Sequence, residues 1–177
     1  MQLDLKAAIR AIPDHPKPGI VFRDLTTLMA DAKAFSGTCA LLADTFRDRG
    51  ATVIAGIEAR GFIFGAAVAD RLGIGFVPVR KEGKLPAETI TRSYALEYGE
   101  DTLEVHTDAF AQNDQVLLID DLLATGGTAS ATVELIRETG AEVLAAAFVV
   151  ELVGLPGRAK LEGLDVEVLS LTTFQED

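Results

Sequence analysis

The segment from residue 116 to 128 constrains the fold of this chain most strongly. Residues 116–119 are continuously apolar, Asp120 and Asp121 follow, and a loop of small side chains leads into a helix predicted over 128–139. An apolar strand without polar alternation is typical of a parallel sheet that is covered on both faces. The segment therefore predicts a strand–loop–helix unit whose polar groups lie at the carboxyl edge of such a sheet, where ligands bind in open α/β folds.

Most of the remaining chain repeats this alternation of apolar strands and helices. Two further helices are predicted because their periodic apolar runs end at a glycine; they cover 35–49 and 64–72. Four further strands are predicted at 53–57, 75–79, 143–150 and 166–171. The pattern predicts an α/β fold with a central, mainly parallel sheet flanked by helices. A length of 177 residues favours a single domain over 1–177.

Two stretches depart from the alternation. Residues 1–30 contain an amphipathic run over 3–12 and then several helix-breaking prolines, which predicts a small N-terminal unit that we call the hood. Residues 82–109 are polar and predict a flexible β-hairpin outside the core, which we call the flap. A long excursion of this kind is either an active-site lid or an ordinary surface hairpin.

Charge and composition exclude several classes of protein. The net charge is −11 and the sixteen basic residues form no long run, so a nucleic-acid partner is not expected. No signal peptide or long apolar stretch is present, which predicts a cytoplasmic protein without a membrane partner. Cys39 has helical spacing with its apolar neighbours and is predicted to be a core thiol, while His15 and His106 lack zinc-ligand spacing.

The loop after the apolar strand has the properties of a phosphate site. Small residues let the backbone approach a ligand closely, and a helix N-terminus presents unpaired N–H groups with partial positive charge. Threonine hydroxyls add further donors. The residues predicted to bind one phosphate group are Ala124, Thr125, Gly126, Gly127 and Thr128.

The adjacent carboxylates extend this prediction to a sugar. Asp120 and Asp121 are suited to accept hydrogen bonds from two neighbouring ribose hydroxyls, and a phosphate beside a diol describes ribose 5-phosphate. The alternative is an ordinary strand–turn–helix capped by threonine. Two close carboxylates at the end of a buried strand disfavour it, because they repel each other unless something bound offsets their charge.

The segment 116–128 resembles the phosphoribosyl pyrophosphate (PRPP) motif of the type I phosphoribosyltransferases. Further stretches resemble the purine-specific members in order and spacing: residues 17–24, 58–62, 77–81, 83–86 and 96–99. The resemblance implies transfer of the 5-phosphoribosyl group of PRPP to adenine, giving AMP and pyrophosphate. It also implies Mg²⁺ bound mainly through PRPP, with no metal site of the protein's own, and a homodimer.

The resemblance assigns the pyrophosphate of PRPP to basic and loop residues. Ala59 and Arg60 lie in the family's pyrophosphate loop, which often contains a cis peptide, although a surface salt bridge is the other interpretation of Arg60. Arg80, Lys81 and Lys84 are assigned to pyrophosphate too, or else form a solvated charge run. Glu82 stands where relatives are often basic or neutral and weakens the local positive field.

The resemblance also assigns the base and the reacting carbon. Phe22 stacks on adenine, main-chain groups of Val21 and Arg23 contact the edge of the base, and Leu152 packs on its other face; the alternative for Phe22 is a core position. Glu97 and Tyr98 lie in the flap over the reacting carbon, with Glu97 handling a proton, unless it is simply an exposed glutamate.

Three other functions stay open on the sequence. The same chemistry could act on another purine, such as xanthine or hypoxanthine. A regulatory protein on the same fold would sense PRPP or a purine, and a binding module would have lost catalysis. The acidic charge disfavours the regulator, and the intact pairs Asp120–Asp121 and Glu97–Tyr98 disfavour the inactive module.

Overall fold

The computed structural model describes residues 3–95 and 99–175. The helices are α1 (Leu5–Ala8), α2 (Thr26–Ala30), α3 (Ala32–Phe46), α4 (Gly61–Leu72), α5 (Gly127–Glu138) and α6 (Gly157–Glu162). The strands are β1 (Arg10–Pro13), β2 (Val21–Asp24), β3 (Val53–Ile57), β4 (Gly75–Lys81), β5 (Thr89–Ala95), β6 (Glu100–His106), β7 (Gln115–Leu123), β8 (Glu142–Val153) and β9 (Val168–Gln175). In the described residues, no helix is long and apolar enough to cross a membrane.

A seven-stranded sheet forms the centre of the molecule, in the order β5-β6-β4-β3-β7-β8-β9. Strands β4, β3, β7, β8 and β9 run parallel to their neighbours in this group, whereas β6 is antiparallel to both β4 and β5. The predicted α/β fold with a central, mainly parallel sheet is therefore confirmed. The carboxyl ends of β3, β4 and β7 lie side by side, as the site prediction requires.

The side chains of the central strands alternate between two hydrophobic clusters, one on each face of the sheet. On β7, Val116 and Leu118 belong to one cluster, and Leu117 and Ile119 to the other. Helix α5 packs on the first face, and α3 and α4 on the second. Cys39 is buried on α3, as predicted.

Several element boundaries differ from the prediction. Strand β7 continues to Leu123 instead of ending at residue 119, because Leu122 and Leu123 still pair with β8. The amphipathic run over 3–12 is divided into α1 and β1, with the chain extended from Ile9. Strand β9 lies two to four residues further along than predicted, since its pairing with β8 starts at Val168.

The flap region is also more integrated than predicted. Strands β5 and β6 pair as an antiparallel hairpin, but β6 also pairs with β4 and so extends the main sheet. Leu103 and Val105 of β6 are buried in the core. The hairpin is therefore not wholly outside the core, because one of its faces covers the end of that core.

Candidate active site

The predicted phosphate loop connects β7 to α5. Gly126 precedes the helix in the left-handed backbone region, with φ of 76°, which glycine adopts readily. A cavity of about 100 Å³ lies against this loop, and its lining includes all five predicted phosphate residues. Its wall at the start of α5 offers the unpaired N–H groups of the first helical turn.

A second loop supports the phosphate loop from behind. The N–H of Gly157, at the start of α6, donates to the carbonyl of Ala124 over 3.1 Å. A Cβ on Gly126 would lie 2.7 Å from the Cα of Gly157, and a Cβ on Gly157 would collide with the Ala124 carbonyl oxygen. Both glycines are thus required by the packing of two backbones, in addition to the approach of a ligand.

The two carboxylates at the end of β7 differ in their surroundings. Asp121 is buried and forms an ion pair with the Nε of Arg60, while Asp120 accepts a hydrogen bond from the Asp121 N–H over 2.8 Å. Burial, followed by the negative charge of Asp121, raises the pKa of Asp120 well above its usual value, although Arg60 opposes the shift. The pair is therefore held close together with one charge compensated and the other disfavoured.

The position of Asp120 also depends on the absence of a side chain at Gly61, the first residue of α4. A Cβ on Gly61 would lie 2.8 Å from a carboxylate oxygen of Asp120 and 2.9 Å from the Ile119 carbonyl. Only glycine lets α4 begin this close to β7. The α4 helix accordingly starts at Gly61, three residues earlier than predicted.

A larger cavity of about 340 Å³ adjoins the phosphate loop. Its lining brings together residues assigned by the sequence to three parts of one substrate: Ala59, Arg60, Lys81, Asp120, Asp121 and Thr128. The peptide bond between Glu58 and Ala59, at its edge, is cis, as the resemblance implies. Residues predicted to bind pyrophosphate and ribose therefore line one cavity, together with Thr128 of the phosphate loop.

Acidic side chains position the basic residues of this cavity. Glu58 accepts from the Nε of Arg80 over 3.1 Å and from the N–H of Lys81 over 3.0 Å. The Nζ of Lys81 contacts Asp101 over 2.6 Å. Burial raises the pKa of Glu58, but the Lys81 N–H and the Arg80 guanidinium outweigh it, so the net pKa is lowered. Arg80 and Lys81 are thus held in place, unlike a simple solvated charge run.

The turn that carries Lys84 is fixed by a buried carboxylate. Glu104 of β6 accepts hydrogen bonds from the backbone N–H groups of Lys84 and Leu85, each over 2.7 Å. The carbonyl of Lys84 accepts a hydrogen bond from Arg80 over 3.3 Å. The side chain of Lys84 is exposed and lies on this fixed turn.

The residues assigned to adenine lie apart from these cavities. Val21, Phe22 and Arg23 are consecutive and half-buried on β2, and Leu152 is half-buried on β8. The ring of Phe22 meets His15 edge-on, with centroids 5.2 Å apart. Phe22 is therefore not a fully buried core residue, which favours the interpretation that its ring is available to a ligand.

The two predicted catalytic residues, Glu97 and Tyr98, lie outside the described residues. Within residues 3–95 and 99–175, no group of three or more His, Cys, Asp or Glu side chains is arranged to hold a metal ion.

Four residues that shape the site carry no role in the sequence prediction: Glu58, Gly61, Glu104 and Gly157. Glu58 and Gly61 flank the Ala59–Arg60 pair, so their proximity to the site was a usable signal. Glu104 and Gly157 reach the site only through tertiary packing.

Comparison with known proteins places this arrangement in context. The family model for the phosphoribosyl transferase domain matches residues 28–176. The adenine phosphoribosyltransferase of Parvibaculum lavamentivorans is 58% identical, over 98% of this chain and 99% of its own length.

Solved structures with a similar fold belong to the same family of enzymes. That of the adenine phosphoribosyltransferase of Thermoanaerobacter pseudethanolicus has a TM-score of 0.91 at 50% identity, covering 96% of this chain and 98% of its own. The Saccharomyces cerevisiae enzyme, solved with an imino-altritol bisphosphate and adenine, has a TM-score of 0.87 at 39% identity over 94% and 96% of the two chains.

Proposed function

Because this chain belongs to the phosphoribosyl transferase family, we propose that it transfers the 5-phosphoribosyl group of PRPP to adenine, giving AMP and pyrophosphate. One observation carries the proposal: the phosphate loop, the paired carboxylates and the basic residues surround two adjoining cavities that share Asp120 and Thr128. Their order matches the order of 5-phosphate, ribose diol and pyrophosphate in PRPP. High identity to adenine phosphoribosyltransferases supports adenine over xanthine or hypoxanthine.

The chain's own residues bind and orient PRPP in this proposal. The backbone N–H groups and hydroxyls of residues 124–128 bind the 5-phosphate, and Asp120 and Asp121 accept hydrogen bonds from the ribose hydroxyls. Hydroxyl donors favour the charged form of a carboxylate, so binding of the diol opposes the raised pKa of Asp120. In this proposal, the unfavourable burial of two neighbouring carboxylates therefore serves to bind the ribose diol.

Arg60 is suited to bind the pyrophosphate without leaving its partner. Its Nε pairs with Asp121, and the guanidinium has further N–H donors that this contact does not use. Lys81 lines the same cavity, and the Glu58 contact positions Arg80 beside it. Cations at this end stabilise the charge that develops on the departing pyrophosphate.

Bond cleavage leaves positive charge on the ribose carbon, as in glycoside chemistry. The enzyme then acts mainly by orienting the purine nitrogen toward that carbon and by excluding water. We place Glu97 and Tyr98 over the reacting carbon, with Glu97 handling a proton of the purine. The flap, residues 82–109, is the segment that we propose excludes water.

The proposed metal is Mg²⁺ carried by PRPP. The donors of the cavity fit this assignment, because Asp121 and Glu58 are already engaged by Arg60 and Arg80. Asp120 forms no ion pair with an arginine in the described residues, so it is the carboxylate of this cavity that would be available to an ion carried by PRPP. When bound, Mg²⁺ neutralises negative charge on the leaving group.

Adenine is proposed to lie between the hood and the sheet. Phe22 of β2 stacks on one face, Leu152 of β8 packs on the other, and main-chain groups of Val21 and Arg23 contact the edge of the base. Backbone contacts can distinguish a 6-amino group from a 6-oxo group, because a donor and an acceptor exchange places. A cytoplasmic homodimer with these two small-molecule substrates, and with no nucleic-acid or membrane partner, completes the proposal.

The direct test is product formation from PRPP and Mg²⁺ with adenine, hypoxanthine, guanine and xanthine in parallel, read by chromatography. Ribose 5-phosphate in place of PRPP is the matched control. We expect AMP from adenine alone and no product in the control. Product from another base would overturn the assignment of the adenine residues, and no product from any base, with PRPP still bound, would favour a sensor of PRPP.

A further inference from the structure

The side chain of Arg23 leaves the hood and covers an aromatic ring of the main sheet. Its guanidinium carbon lies 4.1 Å from the ring centroid of Phe174, which belongs to the edge strand β9. The Nε of Arg23 is buried and has no hydrogen-bond partner among the described residues. An arginine this close to a ring gains most from the contact when water is excluded, so the ring face is an important support for this buried group.

Phe174 connects this arginine to the sheet position assigned to the base. Leu152 on β8 and Phe174 on β9 are direct register partners in adjacent parallel strands. Both are half-buried and pack in the same hydrophobic cluster. Side chains at paired positions project from the same face of a sheet, so the ring of Phe174 lies beside Leu152.

Arg23 is also adjacent to Phe22 in a strand. Successive side chains of a strand project to opposite faces, so the orientation of Arg23 sets the orientation of Phe22. The ring of Phe22 also contacts His15 of the hood, with an angle of 80° between the ring planes. A fixed position of Arg23 therefore fixes the ring that is proposed to stack on adenine.

We infer that Arg23 and Phe174 form a clamp that positions β2, and with it Phe22, relative to Leu152 at the proposed adenine site. Phe174 is a positioning residue in this inference: it touches neither substrate and acts through Arg23 and Leu152. The inference rests on the proposed function, because it uses the assignment of Phe22 and Leu152 to the base. It predicts that the clamp controls adenine affinity separately from PRPP affinity.

A second cation approaches the same ring. The Nζ of Lys6 on α1 lies 5.5 Å from the Phe174 centroid. The ring is thus contacted from α1 and from β2, which are both parts of the hood. One side chain of β9 therefore links two elements of the hood to the sheet.

The test compares steady-state constants of wild-type protein with those of Phe174→Leu and Phe174→Tyr. Leucine keeps an apolar side chain but removes the ring face, so KM for adenine should rise about tenfold while kcat and KM for PRPP stay unchanged. Tyrosine keeps the ring and should restore the wild-type KM. The control Arg49→Met removes another arginine–ring contact, 5.0 Å from Phe46, and should leave all three constants unchanged.

A double-mutant cycle separates the clamp from general packing. Arg23→Met removes the guanidinium but keeps the main-chain groups that are proposed to contact adenine. If Phe174→Leu does not fold, Arg23→Met alone tests the contact. The two substitutions should each raise KM for adenine and should not add when combined, because they remove the same contact. Additive effects, a parallel rise in KM for PRPP, or equal behaviour of the leucine and tyrosine variants would each overturn the clamp.

The failures of the two proposals are distinguishable. Wild-type protein that forms no AMP from adenine would overturn the proposed function and the clamp with it. Wild-type protein that forms AMP normally, with an unchanged KM for adenine in Phe174→Leu, would overturn the clamp alone.

Discussion

The carboxyl-edge loops and the hood, which we propose bind the two substrates of one reaction, are built in different ways. The loops, residues 58–61 and 120–128, are fixed by backbone packing: Gly61 touches β7 and Gly157 bonds to Ala124. The hood contains a separate two-stranded sheet and buries Leu5, Ile9, Leu25 and Leu28 in the core cluster on one face of the main sheet. Its other described links to the main sheet include the side-chain contacts of Arg23 and Lys6 with Phe174. The phosphate loop is thus held by contacts between backbones, whereas the hood is held to the main sheet by side-chain packing.

This difference separates two demands on the enzyme. Every substrate pair shares PRPP, so the groups that bind it gain from a rigid frame with little reorganisation. The choice of base depends on a small set of contacts that substitution can change without disturbing the core. We therefore expect substitutions at the carboxyl-edge loops to have large effects on PRPP and turnover, and substitutions in the hood to have smaller effects confined to adenine.

The largest effect is expected for Gly157→Ala. The added Cβ collides with the Ala124 carbonyl oxygen, and relief of the collision must displace the phosphate loop. Overpacking of this kind costs about 1–3 kcal/mol, so KM for PRPP should rise by up to about a hundredfold. The matched control is Gly75→Ala, whose Cβ would meet only Val53 at 3.6 Å. Equal PRPP constants for the two variants would contradict the role of Gly157 and weaken the comparison.

The next effect is expected for the double substitution Asp120→Asn with Asp121→Asn. Amides keep the shape but lose the charge that accepts hydrogen bonds from the ribose hydroxyls, and Arg60 loses its partner. Turnover should fall by about tenfold or more. The rate is measured at saturating adenine and PRPP beside each single variant. A double variant with the wild-type rate would remove the ribose assignment.

The strand–loop–helix over residues 116–128 could be predicted because its signal is local. The residues assigned to phosphate and ribose lie within this one short segment. Gly157, and Phe174 in the inferred clamp, lie far along the chain from the residues they contact, and neither has a periodic or motif signal. Their roles come from the parallel pairing of β7, β8 and β9, which the sequence indicates only as strands of unknown order.

The end of β7 and the burial of β6 could not be predicted from the sequence, because both depend on pairing with other strands. The polar pair Asp120–Asp121 suggested that the strand stops at residue 119, yet pairing with β8 continues to Leu123. The polar residues of the flap predict a hairpin outside the core, whereas Leu103, Glu104 and Val105 of β6 are buried in succession. From the sequence alone, a carboxylate such as Glu104 is expected to be exposed. It can be buried because backbone N–H groups of Lys84 and Leu85 donate hydrogen bonds to it.

A smaller effect is expected for Phe22→Leu in the hood. Base stacking on an aromatic ring is worth ~1–3 kcal/mol, and leucine keeps an apolar contact with the base, so we expect the lower end of this range to be lost. A loss of about 1–1.4 kcal/mol should raise KM for adenine about fivefold to tenfold, with PRPP constants unchanged. Phe22→Tyr keeps the ring and is the control. The measurement is the pair of KM values under the same conditions. A change in KM for PRPP as large as that for adenine would erase the proposed division between the two regions.

The smallest effect is expected for a substitution of Glu104, whose side chain holds the turn between β4 and β5 through hydrogen bonds to its backbone. This turn carries Lys84, which is proposed to bind pyrophosphate. Burial raises the pKa of Glu104, but the backbone N–H groups of Leu85, Gly83 and Lys84 outweigh it and lower the net pKa. A lowered folded-state pKa gives stability that is present above the unfolded-state pKa and is lost as the pH falls through the folded-state pKa.

Glu104→Gln should therefore lower the free energy of unfolding by about 1 kcal/mol at pH 7, because a neutral amide accepts these hydrogen bonds less strongly. The difference from wild-type protein should shrink as the pH falls below the unfolded-state pKa of glutamate, about 4.3, because the unfolded chain then takes up a proton before the folded protein does. Denaturant unfolding of both proteins across this pH range measures it. A constant difference at every pH would mean that the charge of Glu104 does not hold the turn. The side-chain contacts that distinguish the hood would then have no counterpart at the PRPP end.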